Sequence, residues 1–269
     1  MNLIVEFIIY YLKLLALTLG VIFVCGFAVR FFSWSFSRLS GSGSGAFFDI
    51  TSIIGTPVHE LGHAIMCLLF GHKIVKMKLW SPSHPNGVYG FVEHSYNRKN
   101  PWARLGSLFI GVGPIFSGLS VIILVLWLCF PNQWNAYLTT SKAVFTADVT
   151  ASHILSAVFS LFSNMFRGFG DNWWRSLIGL IVILPVSLHI TLSWQDVKSA
   201  SGALPLYLLL LLLFAIPTML FGVSTSITAW LWLWNIRALS LFCLVIAFSA
   251  IWVLFALLVR AIRLVISSF

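Results

Sequence analysis

The sequence predicts an all-α polytopic membrane protein of about six transmembrane helices, with a membrane-associated β-hairpin after the second. Three observations predict it. Of 269 residues, 59% are hydrophobic and only 9% are charged, against roughly 45–50% and 25% in soluble domains. The apolar residues gather into long runs, and about 20 such residues cross the hydrocarbon core as a helix. One stretch, 71–104, breaks the pattern with strand-like alternation. This composition excludes an ordinary cytosolic enzyme, a disordered chain and a small disulfide scaffold.

The first expected span covers residues 3–29, interrupted only by Glu6 and Lys13. No basic stretch precedes it, so it reads as a retained span and not a removed signal peptide. Ser40 to Gly45 alternates serine and glycine and reads as a flexible linker. The second span runs over 48–70. The third covers 104–130 and contains Gly111, Gly113 and Pro114. The fourth covers 176–198 through Pro185, the fifth 203–222 and the sixth 231–259. Residues 131–175 are less apolar, and 146–166 reads as either a seventh span or an interfacial helix. Residues 1–47 thus form an N-terminal helix and linker, 48–205 a membrane core, and 206–269 C-terminal helices.

Between the second and third spans, Lys73 to Trp80 alternates, with Lys76 and Lys78 on one face and Val75, Met77 and Leu79 on the other. Val88 to Tyr96 is rich in β-branched and aromatic residues, and Pro82, Pro85, Asn86 and Gly87 supply turn chemistry. A hairpin at the membrane face is expected.

The formal net charge is +9. With six spans and a cytoplasmic N-terminus, Lys73, Lys76, Lys78, Arg98, Lys99, Arg104, Lys198, Arg260 and Arg263 fall inside. Arg30, Arg38, Lys142, Arg167 and Arg175 fall outside. This bias favours that orientation. The basic residues meet anionic lipid headgroups. Nucleic acid is not an expected partner, because no basic segment interleaves with stacking aromatics. Cys25, Cys67, Cys129 and Cys243 lie in apolar runs without ligand spacing, and read as buried apolar residues.

The chemistry sits in the second span, as His59-Glu60-Leu61-Gly62-His63. Positions i and i+4 share a helix face, so both imidazoles reach one zinc ion, and Glu60 is placed to act on a metal-bound water. Two His and a Glu in mid-span cost several kcal/mol unless paired or ligated. A polar packing cluster is the plainer alternative. Zinc hydrolases hold three protein ligands and leave a fourth position open. The acidic candidates for the third are Glu6, Asp49, Glu93, Asp148, Asp171 and Asp196. Asp49 reads as an N-cap, Glu93 as a solvated strand residue, and Asp148 and Asp171 as outer-side residues. Asp196, closing the fourth span, reaches the histidines if Pro185 breaks that helix or the segment re-enters, and is the preferred ligand. His189, seven residues earlier on the same helical face, is an alternative ligand, an outer partner of the site or, most simply, a hydrogen-bonded interior histidine.

These residues resemble the site-2 protease family of intramembrane zinc metalloproteases, over roughly residues 48–205. The match rests on His59-Glu60-Leu61-Gly62-His63 within a span, on Gly113-Pro114 in the next span, and on Asp196 in a later one. The Lys73–Tyr96 hairpin is similar to the family's membrane-associated β element. The chain departs from the family pattern in Gln195-Asp196-Val197, where the family has Leu-Asp-Gly. It departs again at Ser117, where many members have Asn. The resemblance implies a Zn2+ cofactor held by His59, His63 and Asp196, with Glu60 as general base and His189 and Ser117 around them. It implies a divergent intramembrane endopeptidase acting on a membrane protein or membrane-inserted peptide. The compact, domain-poor layout makes the bacterial plasma membrane the expected location. A non-proteolytic zinc-binding membrane protein, a scaffold or transport component, is the alternative reading.

Overall fold

The computed structural model describes residues 2–40, 45–82, 88–144 and 172–267, with positions 156, 159, 160 and 163. Most of the 146–166 segment, Asp148, Asp171 and the hairpin residues Pro85, Asn86 and Gly87 lie outside the described residues, as does the linker interior.

Asn2 caps the first helix by accepting the Ile4 N–H. Helix α1 (Leu3–Leu15) continues through a π-helical turn (Ala16–Gly20) into α2 (Val21–Ser40), so the apolar rod runs well beyond the expected 3–29. Helix α3 (Gly45–Leu69) carries the histidine motif. It begins at Gly45, the last residue assigned to the linker. Strands β1 (Lys73–Lys78) and β2 (Phe91–Ser95) pair antiparallel as expected, with a register irregularity between Ile74 and Lys76. Asn100 caps α4 (Pro101–Cys129), and Pro101 at its first position has no N–H to leave unpaired. A short helix, α5 (Pro131–Val144), follows.

The fourth expected span is two helices. Helix α6 (Trp173–His189) and helix α7 (Trp194–Ser201) are bent by 59° at the intervening break. Pro185 lies inside α6 without ending it, so of the two routes expected to bring Asp196 to the histidines, a break at Pro185 or a re-entrant segment, the first does not occur. The helix instead ends four residues later, and Ser193 starts the next one. Helix α8 (Leu204–Leu220) is followed by Phe221 and then Gly222, whose φ of +69° suits a residue without Cβ. Helix α9 (Ser224–Ser267) is 44 residues long, extending the sixth span in both directions.

Among the described residues, three helices are long and apolar enough to cross a membrane, Leu3–Leu39, Pro101–Cys129 and Ser224–Ile266, or four if the bent pair is one span. This fits a membrane protein; six spans are not shown. Large apolar side chains face outward on several helices, Val24 at 70% and Leu68 at 71% exposure among them. Such a surface suits hydrocarbon as its solvent. One core joins α2, α4, α6 and α9 through Val29, Ile115, Ile122, Ile183, Val186 and Phe242. Helix α3 packs on α4 and α6. A Cβ added to Gly62 would lie 2.5 Å from the Gly113 carbonyl oxygen, and one on Gly113 would lie 2.6 Å from that of Gly62. The two backbones touch where the motif sits.

Candidate metal centre

His59 and His63 project from one face of α3, with ring centroids 5.0 Å apart. Each ring is oriented by a carbonyl that a helix has released. Pro114 has no N–H for the carbonyl of Ile110, four residues before it, and the His63 Nδ1–H donates to that oxygen at 2.7 Å. Helix α6 ends at His189, whose carbonyl oxygen accepts the His59 Nδ1–H at 2.8 Å. With both Nδ1 atoms engaged, the two Nε2 lone pairs face one another at 3.2 Å.

Asp196 completes the cluster. The break after α6 turns the chain so that Ser193 caps α7. The Ser193 hydroxyl accepts the Asp196 N–H at 3.0 Å, and Asp196 Oδ2 accepts the Ser193 N–H at 2.7 Å. This capping box leaves Oδ1 pointing at His63 Nε2, 3.3 Å away, with Oδ2 at 4.0 Å from His59 Nε2. All three side chains are largely buried, at 15%, 11% and 12% exposure. Helix α7 reaches the site because α4 offers a glycine at the crossing: a Cβ on Gly111 would meet the Asp196 carbonyl oxygen at 2.7 Å.

The donor set fits zinc. Bonds of about 2.0–2.2 Å in a tetrahedron put ligand atoms roughly 3.3–3.5 Å apart, and two of the three separations are already within about 0.2 Å of that range. Two imidazoles and a carboxylate are a catalytic zinc ligand set, and outer carbonyls that fix each tautomer are its usual support.

Glu60 is buried beside His59, and Gly90 of the hairpin arm packs on its side chain. These residues line a cleft of about 350 Å³ whose other walls come from α4, α7 and the hairpin, including Phe91, Val92 and His94. Burial, and then the neighbouring His72 and His63, hold His94 below its ordinary value.

Other sequence candidates are placed elsewhere. His189 is not on a common face with Asp196, because the helix breaks between them. Its ring stands against Thr51, at 3.3 Å from the hydroxyl, and against Phe48, while its main chain holds His59. Ser117 donates to the Val58 and Pro114 carbonyls, cementing α3 to α4. Asp49 is not an N-cap: α3 begins earlier, at Gly45, and Asp49 accepts the Tyr89 hydroxyl. Glu93 is exposed and opposite Lys76 on the hairpin. Glu6 sits in the first turn of α1. Sequence reasoning missed Ile110 as a partner of the site. Its signal was the proline four residues on.

No family model, no curated protein and no solved structure matches the chain.

Proposed function

We propose that the protein is a zinc-dependent endopeptidase of the site-2 protease type, cleaving a peptide bond in or near a transmembrane segment. In this reading α3 and the bent pair α6–α7 are embedded alongside the three long apolar helices, and α8 is a further span. The observation that carries the proposal is the convergence of His59, His63 and Asp196 on a cleft that also holds Glu60.

A zinc ion at these ligands, when bound, polarises a scissile carbonyl and acidifies water. The chain supplies the rest. A Glu60 carboxylate oxygen takes the proton of the attacking water and passes it to the leaving amine. Strand β2 lines the cleft, and its outer edge has no strand partner among the described residues. An unwound substrate segment adds to such an edge through main-chain hydrogen bonds, which holds it extended beside Glu60. Exposed Val75 and Met77 keep the hairpin at the membrane face. The low polarity of the surroundings restricts water to the cleft.

The test compares membranes from cells producing the wild-type chain and the Glu60→Gln variant, with zinc measured in both purified proteins. Loss of a general base lowers the rate by about 10²–10⁴-fold. New protein termini within transmembrane segments are therefore expected only with wild type, at unchanged zinc content. Identical termini in both would overturn the proposal and leave a zinc-binding membrane protein without proteolysis.

A further inference from the structure

A second cluster of ligand-type side chains stands where the hairpin meets the ends of α3 and α4. It comprises Cys67 in the last turn of α3, His72 just after it, and His94 on β2. One ligand atom from each lies within 4.8 Å of the others.

The local chain builds this cluster. Gly71 adopts a φ of +70° and reverses the backbone, so that the His72 N–H donates to the Cys67 carbonyl at 2.8 Å. Strand register pairs Ile74 with His94, which sets His94 beside His72. The His72 Nε2–H donates to the Ala103 carbonyl in the first turn of α4 at 2.7 Å. The Tyr96 ring stacks on His72 at 4.4 Å. The His72 tautomer is therefore fixed, and its Nδ1 lone pair faces His94 Nδ1 at 2.9 Å. Cys67 is fully buried and His72 is 3% exposed.

We propose that Cys67, His72 and His94 form a second metal site, which takes Zn2+ through one thiolate and two imidazoles. Thiolate with imidazole is a preferred zinc ligand set, and a carbonyl behind one imidazole is its usual support. Binding releases the Cys67 thiol proton to solvent and forms the zinc–sulfur bond. The ion ties β2 to the ends of α3 and α4. Because His94 also borders the cleft, the same ion fixes the wall along which a substrate strand would lie.

The site does not depend on the protease reading, and sulfur separates the two. His59, His63 and Asp196 contain none. X-ray absorption at the zinc edge on the full chain in detergent, after incubation with Zn2+, is expected to show a zinc–sulfur shell at about 2.3 Å. Cys67→Ala should abolish that shell while nitrogen and oxygen scattering persists. His63→Ala should leave it intact. If His63→Ala removes no zinc while the sulfur shell stands, the first site fails and this one holds. Zinc bound in wild type with nitrogen and oxygen ligands alone would overturn the second site and leave His94 Nδ1–H donating to His72. Failure of wild type to bind zinc at all would overturn it too. If Cys67→Ala does not fold, a wild-type spectrum without sulfur still overturns the site.

Discussion

The Ile110 carbonyl accepts the Nδ1–H of His63 at 2.7 Å, and it is free to do so because Pro114 has no N–H to donate to it. A helix defect in α4 is thereby turned into the orienting contact of a motif histidine on α3. Within a low-dielectric interior an unpaired carbonyl costs about 1–3 kcal/mol, so the proline and the histidine each relieve what the other would leave unsatisfied.

Pro114→Ala is expected to test this relationship directly. The new N–H at 114 competes for the Ile110 oxygen and loosens the His63 ring. Loss of such an outer partner lowers metal affinity by about 10–100-fold, read by competition with a chromophoric chelator. The helix itself should become no less stable, since an internal proline has been removed. Unchanged affinity would show that His63 does not rely on this oxygen.

Asp196 has two roles, and two variants separate them. Ser193→Ala removes the cap of α7 at a cost of about 1 kcal/mol and releases Asp196 from its fixed rotamer. Zinc affinity should fall moderately. Asp196→Asn keeps an oxygen for the Ser193 N–H but removes the ligand charge, so zinc affinity should fall much further while α7 stays capped. Isothermal titration with Zn2+ on both proteins distinguishes the two. Equal losses would show that the capping box, and not the carboxylate, is what the site needs.

The contact between Gly62 and Gly113 leaves no room for a methyl group, because one on Gly62 would strike the Gly113 carbonyl as well as the Ser117 hydroxyl. Gly62→Ala should cost about 1–3 kcal/mol through overpacking and separate α3 from α4. A lower Tm in detergent and weaker zinc binding are expected together. Gly20→Ala is the contrast, since its nearest neighbour would be 3.7 Å away. It should be neutral or slightly stabilising.

Tyr89 anchors the hairpin arm to α3 through Asp49, and its hydroxyl is pushed up to about 12, first by burial and then by Asp49. The folded value lies above the ordinary value of about 10. The anchor's contribution is therefore complete below pH ~10 and is lost as pH rises through the folded value. The alkaline absorbance titration of wild type minus that of Tyr89→Phe should show a step near pH 12. A step near 10 would mean that the arm is not seated on α3.

The motif residues were legible for a simple reason. Their spacing is set by one helix, and i to i+4 neighbours share a face whatever the rest of the chain does. The hairpin was legible on similar grounds, because alternation and turn chemistry are local. Asp196 was legible as a candidate by elimination, since so few acids are present in the chain. Its route to the histidines was legible only as a choice between a break at Pro185 and a re-entrant segment. The break at Pro185 does not occur, because proline within a packed apolar helix bends it or releases one carbonyl without ending it. The real stop lies where Ser193 and Asp196 cap a new helix, a competition between neighbouring local bonds. The Cys67, His72 and His94 cluster was illegible because its members come from a helix end, a turn and a strand.

The amino-acid sequence by itself determined an apolar, helical chain suited to a membrane, with two histidines and a glutamate on one helix face. Composition and short-range periodicity are enough for that. Only the tertiary structure decided that α3 and α4 touch at Gly62 and Gly113, and that Ile110 and His189 lend their carbonyls to the His63 and His59 rings. It also decided that a 59° bend delivers Asp196. Those outcomes depend on which backbone hydrogen bonds are left open when helices pack, and packing is a property of the whole chain.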